Sequence, residues 1–173
     1  MIAVLTAESG QHTWHGVLRA GSRTFAASGV RDPRDRTVEA WFEQGHVECH
    51  RADPQMVRPF LAALGLDVAD LHPADEPTVA SPGKPRLLIP VANRRILGGL
   101  EPDFARLAAE SRRYGQLGCY VYSPPTTQPR TAARVSAPII GVDEDAANAN
   151  STGCQAAHRL ISGATATLPT SRW

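Results

Sequence analysis

The sequence predicts an α+β fold. Two observations carry this. The first 50 residues break into short strand-type segments divided by turn-prone residues, and one clear amphipathic helix lies well downstream of them. The order along the chain is strands, helix, strand, helix, strand, strand, helix, which is not the strict alternation of a doubly wound parallel sheet.

Taken in order, Ile2–Thr6, Thr13–Arg19 and Thr24–Ser28 read as strands. Glu8-Ser9-Gly10 and Ala20-Gly21-Ser22 separate them as turns. Arg31-Asp32-Pro33-Arg34-Asp35 is a polar turn, Thr37–Phe42 a further strand, and Gly45–His50 extends or pairs with it in an antiparallel meander. Asp53-Pro54 has the form of a helix start, a capping carboxylate followed by proline in the first turn. The segment runs to Leu64 with Gly65 as the stop, and Pro59 inside it offers a second, later start for the regular helix. Residues 72–85, rich in Pro, Ser and Asp, read as a loop. Arg86–Val91 is a short continuous apolar run, the mark of a buried strand. Pro102–Tyr114 carries Phe104, Leu107, Ala108 and Ser111 on one helical face and ends at Gly115. Gly118–Ser123 and Ala133–Ile140 are strands around a Pro/Thr loop. Asn150 or Ser151 caps a last helix that runs to about Ser162 and closes at Gly163.

Composition excludes several function classes. The chain has 173 residues, 42% hydrophobic and 20% charged, enough to bury a core without disulfide or metal staples. No apolar run reaches the roughly 20 residues of a membrane span. Met1–Thr6 lacks the basic region and long apolar stretch of a signal peptide. The net charge of +1 gives no pull toward nucleic acid or anionic lipid. Arg94-Arg95 and Arg112-Arg113 have no interleaved aromatics that would suggest it. Three widely spaced cysteines, Cys49, Cys119 and Cys154, indicate neither a disulfide framework nor a zinc ribbon. Cys119 and Cys154 sit in apolar surroundings as buried thiols, which fits a reducing cytoplasm.

One stretch is specific. Ala133-Arg134-Val135-Ser136-Ala137-Pro138-Ile139-Ile140-Gly141-Val142-Asp143-Glu144-Asp145 leads into the last helix. It resembles the C-terminal signature of the PhzF-like proteins, the phenazine-biosynthesis isomerases. Upstream, Lys84–Val91, Leu100-Glu101-Pro102-Asp103-Phe104 and Gly118-Cys119-Tyr120-Val121-Tyr122 resemble further segments of that family. The resemblance covers roughly residues 1–162, closest from residue 84, and leaves 163–173 as a short tail. It implies a mostly antiparallel or mixed sheet curved around a central helix, like one domain of the diaminopimelate-epimerase fold.

The resemblance also implies a chemistry: cofactor-independent proton transfer on a small carboxylate substrate. A turn entering a helix points free backbone N–H groups at one spot, and the helix dipole adds partial positive charge there. Developing enolate charge can be stabilised at such a place. Asp145 matches an active-site carboxylate of the family. By its position alone it reads equally as a helix-capping group. Asn148, Ala149, Asn150 and Ser151 stand where the family binds the substrate carboxylate.

The sequence also departs from the family. Ala149 replaces the anion-binding glycine and Asn150 the serine that follows it, and alanine resists the positive φ and close approach that glycine allows. Family members have two similar domains, and the first supplies a catalytic glutamate and a Gly-His-Ala-Thr segment. Neither occurs here, and Gly45-His46-Val47-Glu48 is only superficially close. The family's closing strands after the last helix are also missing, with Leu168–Arg172 as a remnant of the approach to them. The expectation is one incomplete half of a two-domain isomerase, completed by a homodimer or by a partner carrying the first domain. The alternative is a catalytically retired domain acting as a binding or dimerisation module.

Three other patterns bear on chemistry. His46-x-Glu48-x-His50 places three potential metal ligands on one strand face, although a solvated polar face is the commoner meaning. His158 beside Cys154 on the last helix reads as a helix side face rather than a nucleophile pair. Trp14, Trp41 and Phe42 occupy strand positions as core or interface residues.

Overall fold

Antiparallel and mixed sheets with packed helices make up the computed structural model, an α+β fold as expected. It describes residues 1–34, 37–43, 45–125, 130–146 and 148–163. The expected tail after Gly163, with Leu168–Arg172, lies outside them, as do Asp35 and most of the Pro/Thr loop. The chain divides into two compact units, one taking in Met1–Gly45 and the other beginning at His46.

The first unit holds helix α1 (Ile2–Glu8) and strands β1 (Thr13–Ala20), β2 (Arg23–Arg31) and β3 (Val38–Phe42). The strands form the expected antiparallel meander in the order β1-β2-β3. Ile2–Thr6, expected as a strand, is helical. The burial pattern explains the correction. A strand would bury residues 2, 4 and 6, but Val4 is 55% exposed while Ile2, Ala3 and Thr6 turn inward at helical spacing. Thr6 is fully buried and its hydroxyl donates to the Ile2 carbonyl at 2.9 Å. Gly29 on β2 faces it so closely that any Cβ there would overlap the Thr6 hydroxyl. Phe42 packs edge-on to Phe25 at 6.1 Å, whereas Trp41 is 47% exposed.

In the second unit β4 (Glu48–Arg51), β5 (Thr78–Ser81), β6 (Arg86–Pro90), β7 (Cys119–Ser123) and β8 (Ala132–Ser136) form one sheet in that order. β4 was expected to extend or pair with the preceding strand but pairs with β5. β5 itself lies within the stretch expected as a loop. Four residues between Pro77 and Pro82 are too few to show a period. β6 and β7 are parallel, and the rest are antiparallel. A parallel pair requires a crossover, here the short helix α3 (Arg94–Gly98) and the longer α4 (Phe104–Arg113). Sequence reading missed α3, whose five residues are capped by the Asn93 side chain.

Both faces of this sheet are covered, which is why β6 reads as an unbroken apolar run. Leu87, Ile89, Val91 and Val121 meet Val57, Phe60 and Leu61 of α2 (Pro54–Ala63) and Leu107 of α4. On the opposite face Ala80, Leu88, Tyr120, Tyr122 and Val135 meet Cys154 of α5 (Ala149–Ile161).

Helix α2 starts at Pro54, the first of the two expected starts, with the Asp53 carboxylate accepting from the Gln55 N–H at 2.8 Å. Proline at 59 cannot donate to the Gln55 carbonyl. The Tyr114 hydroxyl donates to it instead at 3.2 Å, so the interior proline leaves no acceptor unmet. β8 ends at Ser136, four residues short of expectation. Pro138 lacks the N–H a ladder needs and opens a 3₁₀ turn, Pro138–Ile140, ended by Gly141 at φ 78°.

Candidate active site at the start of helix α5

Helix α5 buries Ser151, Cys154, Gln155 and His158, a stripe at offsets of three, four and seven residues. Polar side chains anchor both ends of that stripe.

Asn148 caps the first end. Its Oδ1 accepts from the Ser151 N–H at 2.7 Å. The expected caps, Asn150 and Ser151, lie inside the first turn. The reason is that Asn148 supplies the side-chain acceptor two to three residues earlier, so the helix starts at Ala149. The Asn148 Nδ2 donates to Asp145 Oδ2 at 2.8 Å, and the Asp145 N–H donates to the Val135 carbonyl at 3.0 Å. Asp145 is therefore bonded from α5 and from β8.

Arg86 joins this group from β6. It is 5% exposed, and its Nη1 donates to Ser151 Oγ at 2.6 Å and to Asn148 Oδ1 at 3.3 Å. Its Nε is buried without a hydrogen-bond partner among the described residues. Burial lowers the Arg86 pKa from its ordinary value, and the neighbouring Cys154 acts in the opposite direction. The Cys154 thiol is pushed up to about 11 by burial, which the charge of Arg86 reduces and Cys49 adds to. Burial alone pushes Cys119 up to about 12, so both interior thiols are protonated and inert at neutral pH.

The structure thus brings Asp145, Asn148 and Ser151 together. Ala149 and Asn150 lie exposed in the first turn. The two adjacent carboxylates differ in use. Glu144 accepts from Nε and Nη2 of Arg134, whose Nη1 also donates to the carbonyls of Leu100 at 2.8 Å and Leu97 at 3.3 Å. Arg134 therefore ties β8 to α3 and the segment after it, with Glu144 as its carboxylate partner, and Asp145 is the carboxylate turned to the helix start.

At the other end of α5, His158 is buried, 8% exposed. Its Nε2 lies 2.9 Å from Asp75 Oδ1, and the Tyr122 hydroxyl donates to Asp75 Oδ2 at 2.7 Å. A carboxylate only accepts, so Nε2 carries the proton of that bond. Burial opposes the charge on Asp75. The bonds from His158 and Tyr122, the His158 charge and the Glu76 N–H at 2.9 Å outweigh it and hold the carboxyl below its usual value. Tyr122 is driven the other way, by burial first and by Asp75 second. This group borders a cavity of about 670 Å³ lined by Cys49, His50, His72, Asp75, His158 and Arg159, among others. Sequence reading gave no sign of it. Asp75 sits in the Pro-rich loop, 83 residues from its partner.

Of the His46, Glu48 and His50 pattern, Glu48 and His50 lie exposed on β4 and His46 precedes the strand. Among the described residues no three His, Cys, Asp or Glu side chains are grouped to hold a metal ion. No described helix is long and apolar enough to cross a membrane.

Comparison with known proteins meets this geometry at the family level. The phenazine biosynthesis-like protein family, PhzC-PhzF, matches residues 2–166. An uncharacterized isomerase of Deinococcus radiodurans is 36% identical over 96 residues, covering 56% of this chain and 31% of its own length. The structure of a predicted epimerase, PA4716, from Pseudomonas aeruginosa superposes with a TM-score of 0.75 at 27% identity, over 95% of this chain and 55% of that one. A PhzF-family phenazine biosynthesis protein of Bacillus anthracis shares the fold, with a TM-score of 0.71 at 13% identity over 97% and 56% of the two chains. The chain spans little more than half the length of these relatives at most. It belongs to the phenazine biosynthesis-like (PhzC-PhzF) protein family.

Proposed function

We propose that the chain is part of an isomerase or epimerase that moves a proton on a small carboxylate substrate without a cofactor. The observation that carries this reading is the Asp145 carboxylate, held by Asn148 at the start of α5 in a member of this family. First-turn N–H groups of a helix lie outside the intrahelical ladder and favour an anion. Asn148 and Ser151 use their side chains on Arg86 and on the cap, so the substrate carboxylate falls to Asn150, by its side chain and its backbone N–H.

Proton transfer at carbon needs an acid or base within hydrogen-bond reach of that carbon. A second polypeptide, either another copy of this chain or a partner with the family's first-domain segment, supplies the group opposing Asp145. The test is deuterium uptake into amino-acid-like carboxylates in D₂O, with the chain alone and with such a partner. Uptake is expected only in the combined sample, and Asp145→Asn is expected to lower it by about 10²–10⁴-fold. Fast uptake by the chain alone removes the partner from the reading. An unchanged rate in Asp145→Asn removes Asp145.

A second reading, a binding or dimerisation module without catalysis, is favoured by Ala149 standing in the glycine position of the helix entry. A dimer by size-exclusion mass, with no uptake under any condition, would select it.

A further inference from the structure

We infer that Arg86 is a positioning residue for Asp145, acting through the side-chain amide of Asn148. The inference deepens the proposed function and rests on its reading of Asp145.

A side-chain amide has two orientations, related by a flip, and its neighbours decide between them. The Ser151 N–H from α5 and Arg86 Nη1 from β6 both donate to the Asn148 Oδ1, at 2.7 and 3.3 Å. Each can only donate. They require the Asn148 oxygen where they meet it, which leaves Nδ2 facing Asp145 Oδ2 at 2.8 Å. In the flipped orientation the NH₂ would oppose two donors, and the oxygen would oppose a carboxylate. The guanidinium, with the Ser151 N–H, sets the direction of the amide, and the amide directs an N–H at the Asp145 carboxylate.

A helix cap alone does not need this arrangement. Serine or aspartate caps as well as asparagine does, but neither offers an N–H to a neighbouring carboxylate. Nor does the cap need a buried arginine. Burying a guanidinium is costly unless its hydrogen bonds are made, yet Arg86 is 5% exposed with Nε unpartnered among the described residues. The two hydrogen bonds of its Nη1 go to one end of α5, at Asn148 and Ser151. The charged groups around Asp145 have separate tasks, since Glu144 is tied to Arg134 on β8. Arg86 thus links the interior of the sheet, through Asn148, to the Asp145 carboxylate at the helix entry.

The test is NMR on asparagine-labelled protein, with the Asn148 side-chain signals assigned by their loss in Asn148→Ser. In Arg86→Met we expect exchange of the Asn148 amide protons to rise about tenfold or more. The Thr152 N–H, bonded to the Asn148 main-chain carbonyl at 3.1 Å, should stay protected because the helix remains. Arg86→Lys, which keeps the charge with a single donating centre, should fall between the two and covers the case in which Arg86→Met does not fold. In the deuterium-uptake assay Arg86→Met should lower kcat with little change in KM, and add nothing to Asn148→Ser.

Unchanged Asn148 signals in Arg86→Met overturn the inference. So does loss of Thr152 protection in parallel with them in both Arg86 variants, which makes Arg86 structural only. If the amide responds as expected but Asp145→Asn leaves uptake unchanged, the positioning stands and the proposed function falls.

Discussion

Replacing His158 with alanine is expected to destabilise the second unit by about 3 kcal/mol, or about 10 °C in the thermal midpoint. The cost does not come mainly from lost attraction. The Asp75 and His158 side chains are 13% and 10% exposed, and the substitution leaves a largely buried carboxylate with one of its two side-chain donors gone. Asp75→Asn is the milder change, because a neutral amide no longer needs charge compensation.

The acid dependence has a definite sign. The Asp75 pKa is lower in the folded chain than in the unfolded one. Between the two values the unfolded state binds more protons, so stability falls as pH falls. The contribution is fully present above about pH 4, near the ordinary carboxylate value, and is lost as pH drops through the folded value. Urea midpoints of the native protein and Asp75→Asn, compared between about pH 2 and 6, should converge at the acid end. Parallel curves would show that Asp75 contributes nothing to acid sensitivity.

Gly118→Ala is expected to cost about 3 kcal/mol, at the upper end for overpacking. A Cβ at Gly118 would overlap the Ser136 carbonyl oxygen and crowd the Ala137 Cα. Both obstacles are backbone, so no rotamer change relieves them. Ser136 pairs with Cys119, and the Gly118 carbonyl accepts from the Leu87 N–H at 3.1 Å, so a shift would disturb β6, β7 and β8 together. Chemical denaturation measures it. A loss below about 0.5 kcal/mol would mean that the strand ends yield freely.

These residues show what the sequence could reveal. β6 and α4 were legible because each is long enough to display its own burial pattern, continuous in one and helical in the other. β5 and α3 have four and five residues, less than a full pattern. Ile2–Thr6 has strand-type residues, but burial of Ile2, Ala3 and Thr6 overrides that preference. The segment from Ala133 to Asp145 was legible as a family signature, and Asp145, Asn148 and Ser151 do meet. Arg86 was not, because its partners lie 62 and 65 residues away and local spacing carries no trace of them. His158 was hidden for the same reason. On its own helix it looks like any residue of a stripe, and only the fold brings Asp75 to it.

The parallel alignment of β6 and β7 also orders events in time. β7 and β8 lie close in sequence, so their antiparallel pairing closes a short loop. β6 can join β7 only after the longer crossover through α3 and α4 has closed. The N–H groups of Leu87 and Val91 donate to the carbonyls of Gly118 and Tyr122. In pulse-labelled refolding those two amides should gain protection after the amides shared by β7 and β8. Until they do, the chain holds a β7–β8 hairpin with one flank open, a species that dilution and low temperature should protect from self-association.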